Sequence, residues 1–205
     1  DGSESPYELN ITYVDALIDP EQETEDQQVA KFLCSQSIML ALKGIPAVYF
    51  NSLLAGRNND EGVRQTGEAR AINRAKWDRV DLQNRLEAED TMEVKAFSQY
   101  ANLLRCRRRQ PAFHPDGNQQ VLDLGDAVFG IVRTAPGGGD CIVCVHNLTN
   151  QPVTASLKKL LPEGVKVASL TNIITGEKCP GRGQQLRLEG FQTAWCQIPA
   201  DNTRG

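Results

Sequence analysis

Long apolar runs are missing from this 205-residue chain. None approaches the ~18 consecutive residues that a membrane-spanning helix needs. Histidine is equally scarce. Two imidazoles, His114 and His146, are too few for a histidine-based metal cluster, and neither sits in a recognisable nucleophile setting, so a Ser-His-Asp arrangement is not expected. An excess of positive charge is also absent: 22 Lys and Arg face 26 Asp and Glu, for a net charge of −4. That argues against a dedicated binder of nucleic acid or of an anionic membrane surface. No secretory leader and a cytoplasmic location are expected. Hydrophobic residues at 40% and charged residues at 23% exclude wholesale disorder. A chain of this length can bury roughly 70% of its unfolded surface.

An initiator methionine is missing too. The first residues, Asp1-Gly2-Ser3-Glu4-Ser5-Pro6, read as the middle of a loop, and a fragment of a larger protein is expected. The six cysteines are even in number, yet the chain is too core-rich to depend on disulfides. Cys141-Ile142-Val143-Cys144 has CxxC spacing but lies in an apolar, strand-like run. Residues three apart on a strand point to opposite faces, so the two sulfurs should not converge on a metal. Buried thiols in a reducing compartment are the expectation.

The first half reads as helical with one buried strand. From Asp26 to Leu42 the residues Val29, Phe32, Leu33, Gln36, Met39 and Leu40 recur at helical spacing, and Lys43-Gly44 supplies a stop. The unbroken run Ile45-Pro46-Ala47-Val48-Tyr49-Phe50 predicts a strand covered on both faces, as in parallel sheets. Residues 51–91 are long, polar and loop-like, with a weak helical stretch from Val80 to Leu86, and loops of this length are usually functional. A second helix is predicted from Thr91 to Arg108 on the face of Val94, Phe97, Tyr100, Ala101 and Leu104. The arginines at 105 and 107–109 complement its C-terminus.

The character changes at about Pro111. Short β-rich runs at 121–124, 128–134, 141–148, 153–157, 165–170, 185–188 and 193–198 alternate with Gly, Asn and Pro turns, which is the pattern of an antiparallel sandwich. The triple glycine at 137–139 precedes no helix and reads as a hairpin turn rather than a phosphate cradle. One strand with two helices cannot close a sheet. The expected architecture is therefore α/β plus all-β: residues 1–110 as the end of a (β/α)8 barrel, and residues 111–205 as an appended antiparallel β-sandwich.

Four motifs then carry a resemblance. The run from Gly44 to Asn58 (GIPAVYFNSLLAGRN) resembles the last barrel strand and following loop of the sucrose phosphorylase branch of the α-amylase superfamily, glycoside hydrolase family 13. Tyr7 to Tyr13 (YELNITY) is similar to that branch's segment after strand seven, Gly67 to Arg74 (GEARAINR) to its Arg-x-Ile-Asn-Arg stretch, and Gln110 to Pro115 (QPAFHP) to its exit from helix eight. Within the branch, the loop from Arg57 to Val63 resembles that of the phosphorylases acting on glucosylglycerate. The resemblance implies a retaining glycoside phosphorylase that moves a glucosyl unit from an α-glucoside, such as glucosylglycerate or sucrose, to phosphate by double displacement, giving α-glucose 1-phosphate. It also implies that the catalytic carboxylates lie upstream of Asp1, so no catalytic residue is assigned in this chain.

Site residues follow from the same resemblance. Arg70 aligns with an arginine holding the distal hydroxyls of the glucosyl unit, a task suited to a planar, multidentate guanidinium. Tyr7 and Glu8 align with a Tyr-Gln pair serving acceptor and phosphate, with glutamate departing from the glutamine. Asn58 and Asn59, beside Arg57, are candidates for the acceptor side. No metal and no cofactor is expected. The expected partners are an α-glucoside, phosphate and the N-terminal part of the barrel. Two alternatives stay open: a free-standing β-sandwich module for carbohydrate binding or interaction, and a hydrolase or transglucosidase on the same scaffold.

Overall fold

The computed structural model describes residues 9–88, 91–156, 170–179 and 185–198. Short helix α1 (Tyr13–Leu17) leads into the long α2 (Glu25–Ala41), which starts at a reciprocal capping box between Thr24 and Gln27. Helices α3 (Phe50–Leu53), α4 (Asp60–Thr66) and α5 (Arg79–Glu87) follow, with a 3-10 turn at Ala69–Asn73 between the last two. Helix α6 (Met92–Arg108), capped by Thr91, then packs along α2. Tyr100 is fully buried there, donates its hydroxyl hydrogen to Gln36 at 2.7 Å and meets the Phe32 ring edge-on. The deepest line of α6 runs through Ala96, Tyr100, Leu103 and Arg107. It is displaced from the line expected through Phe97, Ala101 and Leu104, which are half-buried.

The β region is antiparallel throughout. β1 (Asn118–Leu122), β2 (Val128–Thr134), β3 (Cys141–Asn147), β8 (Thr193–Ile198), β5 (Leu170–Asn172) and β6 (Lys178–Cys179) form one sheet in that spatial order, and β4 (Val153–Ser156) pairs with β7 (Gln185–Leu188). Every residue of β3 is buried, because both faces of the large sheet are covered. Cys141, Val143 and Val145 join Ala155, Leu186 and Leu188 on one face, while Ile142 and Cys144 join Phe32, Tyr100, Phe113 and Trp195 on the other. The two cysteines of the CxxC therefore face different cores, as strand alternation requires.

The expectation for residues 44–50 is corrected. No strand forms there, and Phe50 instead begins α3. Ile45, Tyr49 and Phe50 are 85%, 54% and 53% exposed. A strand exists through ladder partners, and the described residues provide none beside this segment. Residues 51–88 are also less loop-like than expected. α4 is stopped by Gly67 in the left-handed region at φ 69°, and α5 covers the stretch near Val80.

Candidate functional site

Two segments far apart in sequence meet at one cleft. Its volume is about 530 Å³, and its walls come from Leu9, Ala16 and residues 11–14 on one side and from Tyr49, Asn51, Ser52, Gly56, Asn73 and Arg74 on the other. The first wall is placed by α1, whose N-cap Thr12 accepts from the Asp15 backbone N–H. The second is organised by Asn51, which is buried. Its Oδ1 accepts from the Trp77 indole N–H at 2.9 Å, and its Nδ2 donates toward the carbonyls of Asn73 and Ala75 at 3.4 and 3.3 Å. The Tyr49 hydroxyl donates to the same Asn73 carbonyl at 3.1 Å.

The walls are joined through Asn58 and Asp15. Asn58 Oδ1 accepts from the Thr12 backbone N–H at 2.8 Å, and the Asn58 backbone N–H donates to Asp15 at 2.5 Å. Arg57 pairs with the same carboxylate. Asn59 is the N-cap of α4, its Oδ1 accepting from Gly62 N–H at 3.0 Å while its own N–H donates to the Ile72 carbonyl at 2.8 Å. Arg70 is exposed on the Ala69–Asn73 turn that Asn59 holds. Of the residues singled out from sequence, none of Asn58, Asn59 and Arg70 lines the cleft; Asn58 bonds Thr12 of its wall and Asn59 bonds the turn that carries Arg70, and Tyr7 and Glu8 fall outside the described residues. Asn51 and Asp15 were missed. Thr12-x-x-Asp15 was a readable helix start, whereas nothing in the sequence marked Asn51.

No carboxylate lines this cleft among the described residues. Leu9, Ile11, Val14, Ala16 and two tyrosine rings make its surface mostly apolar, with the Thr12 and Ser52 hydroxyls, the Asn51 and Asn73 amides and the Arg74 guanidinium set among them, a lining without the paired carboxylates of acid-base or nucleophilic glycosyl chemistry. Among the described residues no cluster of three or more His, Cys, Asp or Glu gathers that could bind a metal. A serine and a histidine do meet elsewhere: Ser37 Oγ lies 2.9 Å from His146 Nδ1 and 2.8 Å from Thr193 Oγ1. Ser37 and His146 are fully buried, and His146 Nε2 has no hydrogen-bond partner among the described residues. Burial pushes the imidazole pKa down to about 3. Ser37 also contacts the Cys34 carbonyl, an acceptor only, at 2.7 Å. Its single hydrogen goes there, which makes Nδ1–H the donor and the ring neutral. The cluster is core structure, not a nucleophile.

The chain resembles known proteins over most of its length. It is 30% identical over 195 residues to glucosylglycerate phosphorylase of Escherichia coli (strain K12), spanning 95% of this chain and 33% of that protein. It is 34% identical over 192 residues to glucosylglycerate phosphorylase of Allomeiothermus silvanus, spanning 93% and 31%. To sucrose phosphorylase of Streptococcus mutans serotype c it is 31% identical over 142 residues, 69% of this chain and 27% of that one. The chain thus spans about a third of the length of the curated relatives it matches. No protein-family model matches. Among solved structures, AmyP in complex with maltose superposes with a TM-score of 0.65 at 14% identity, over 88% of this chain and 36% of that one. Pullulanase from Anoxybacillus sp. LM18-11 does so with 0.59 at 15% identity, over 87% and 24%. At such identity the likeness is one of fold alone.

Proposed function

We propose that this chain, a relative of the glucosylglycerate and sucrose phosphorylases over most of its length, is the C-terminal part of a retaining glycoside phosphorylase. Residues 1–110 are the end of its (β/α)8 barrel and 111–205 its β-sandwich domain. The observation that carries the reading is the joining of residues 9–16 to residues 49–58 beside a cleft that no carboxylate lines among the described residues. In a β/α barrel the active site is built by loops at the C-terminal ends of the strands, and these two segments behave as consecutive loops of that kind. The exposed Ile45, Tyr49 and Phe50 are then the surface on which the rest of the barrel packs.

The reaction requires two carboxylates about 5 Å apart, one as nucleophile and one as acid and base, and both belong to the upstream part. The nucleophile displaces the aglycone of glucosylglycerate or sucrose to form a glucosyl-enzyme. Phosphate then attacks, giving α-glucose 1-phosphate with retention. Arg70 holds the glucosyl unit, Tyr7 and Glu8 serve acceptor and phosphate, and Asn58 and Asn59 shape the acceptor side. The enzyme works in the cytoplasm without a cofactor. A free-standing β module gains no support from the packing, since Ile131, Ile142, Cys144 and Trp195 share a core with Phe32, Leu33 and Tyr100.

The test is to purify the full-length protein carrying this chain and assay glucosylglycerate and sucrose with and without inorganic phosphate. Phosphate-dependent release of α-glucose 1-phosphate is expected. Release of free glucose at equal rate without phosphate would make the protein a hydrolase.

A further inference from the structure

One carboxylate joins the two walls of the cleft. Asp15 stands in the first turn of α1, a five-residue helix too short to hold a position through its own backbone bonds. Its Oδ2 accepts from the Asn58 backbone N–H at 2.5 Å and from the Thr12 hydroxyl at 3.0 Å, and its Oδ1 meets the Arg57 guanidinium. Its side chain is only 11% exposed while that of Arg57 is 43% exposed. Thr12 returns the contact by donating its backbone N–H to Asn58 Oδ1 at 2.8 Å. The result is a closed ring of hydrogen bonds, Thr12 to Asn58 to Asp15 and back to Thr12, that spans 46 positions of sequence. Thr12, Tyr13 and Ala16 on one side of it, and Ser52 and Gly56 on the other, are cleft lining.

We infer that Asp15 is a positioning residue for the acceptor: its carboxylate fixes the Arg57–Asn58 rim against α1 and so sets the width of the pocket in which glycerate, or the aglycone of the substrate, is held. This rests on the phosphorylase reading above. Charged acceptors strengthen hydrogen bonds roughly twofold over neutral ones, and a backbone N–H needs an acceptor at a fixed place, so a shortened side chain opens the ring and an amide oxygen closes it more weakly. Misplacing a binding wall by about 1 Å is enough to lose large factors in productive binding. The glucosyl unit is assigned to Arg70, whose turn joins the Asp15 ring at one remove, through the Asn59–Ile72 bond, so the half-reaction that forms the glucosyl-enzyme should be far less sensitive than acceptor binding.

The experiment uses the full-length protein and two measurements. Exchange of labelled inorganic phosphate into α-glucose 1-phosphate at saturating phosphate reads the glucosyl-enzyme half-reaction without any acceptor, and synthesis from α-glucose 1-phosphate and D-glycerate reads the acceptor. For Asp15→Ala the KM for glycerate is expected to rise about tenfold or more, with exchange kept within about threefold. Asp15→Asn should fall between this variant and wild type, and Arg57→Met should shift KM in the same direction if Asp15→Ala does not fold. An unchanged glycerate KM in a folded variant overturns the inference and leaves the phosphorylase reading intact. So does a parallel loss of exchange and synthesis, which would make Asp15 merely structural. Absence of exchange in the wild type overturns the phosphorylase reading, and the inference with it.

Discussion

Arg107 and Arg133 place their guanidinium carbons 5.3 and 5.9 Å from the centre of one ring, that of Phe113. Arg107 comes from α6 and Arg133 from β2, and both are buried without a carboxylate partner among the described residues. Carbonyls replace it. Arg107 donates to those of Leu40, Gly44 and Phe113, and Arg133 to those of Ala41, His114 and Asn118. Leu40 and Ala41 end α2, whose last turn contains no basic residue of its own. Two side chains from elsewhere in the fold thus supply the positive charge that a helix C-terminus favours. Arg133→Met should remove the donor from the buried Ala41 carbonyl and from the half-buried carbonyls of His114 and Asn118, of which His114 keeps the Gly117 N–H, and cost about 1–3 kcal/mol. Arg107→Lys should cost less but more than a surface change, because a single ammonium cannot reach three divergent acceptors. Urea unfolding of the full-length variants measures both, and a neutral Arg133→Met would show that the ring contact alone holds this junction.

His146 gives the protein an acid limit. Burial depresses its pKa to about 3, whereas in the unfolded chain it titrates near 6.5. Below pH 6.5 the unfolded state binds a proton that the folded state refuses. Stability is therefore full above pH 6.5 and falls as the pH drops toward 3, by about 1.4 kcal/mol per unit. The stretch between pH 6.5 and 5 isolates this group, since carboxylates titrate mainly below it. His146→Gln should lower stability at pH 7.5 through loss of the Ser37 and Thr193 contacts. Its thermal midpoint should then change less between pH 6.5 and 5 than that of the wild type. Equal slopes for the two proteins would mean that another group sets the acid response.

What was legible in the sequence tracked local signals. Thr91 and the apolar spacing to Leu104 marked α6, alternation and turn glycines marked β2, β3, β7 and β8, and the strand context of Cys141 and Cys144 foretold their separation. What was not legible depended on distant partners. The run from Ile45 to Phe50 reads as a strand because its residues suit one, but without a neighbouring strand the ladder has nothing to pair with. Arg107 read as a cation for its own helix end, while its donors serve the end of α2. Asn51, an unremarkable polar residue in a polar stretch, organises one wall of the cleft because Trp77 and the Asn73 and Ala75 carbonyls converge on it. No spacing rule encodes that convergence.

Arg70 and Glu8 should separate by phenotype in the full-length protein. If Arg70 holds the glucosyl unit as proposed, Arg70→Ala removes its multidentate donor, and kcat/KM for phosphorolysis should fall about 100-fold. Arg70→Lys should recover little of the loss, since a point charge does not reproduce the fork. Glu8→Gln should instead change preference among glycerate, fructose and phosphate while phosphate exchange into α-glucose 1-phosphate persists. Steady-state kinetics against each acceptor decide this. An Arg70→Ala enzyme with unaltered kcat/KM would mean that the glucosyl unit is held by a different residue.

The most exposed prediction concerns the 205 residues in isolation. They should release no α-glucose 1-phosphate from glucosylglycerate or sucrose at any phosphate concentration, because no carboxylate lines the cleft among the described residues and double displacement needs two. The same isolation should leave an apolar face uncovered around Ile45, Tyr49 and Phe50. Such a face favours self-association and binding of hydrophobic dyes, even though the α2–α6 and β cores are complete on the sheet side. Adding the separately expressed upstream part of the protein should quench the dye signal and restore phosphate-dependent turnover together, since one surface serves both. Turnover by the isolated chain would place the nucleophile among residues 1–205 and undo the assignment of the cleft. Quenching without turnover would leave the packing surface intact and put the fault in the chemistry assigned to the upstream part.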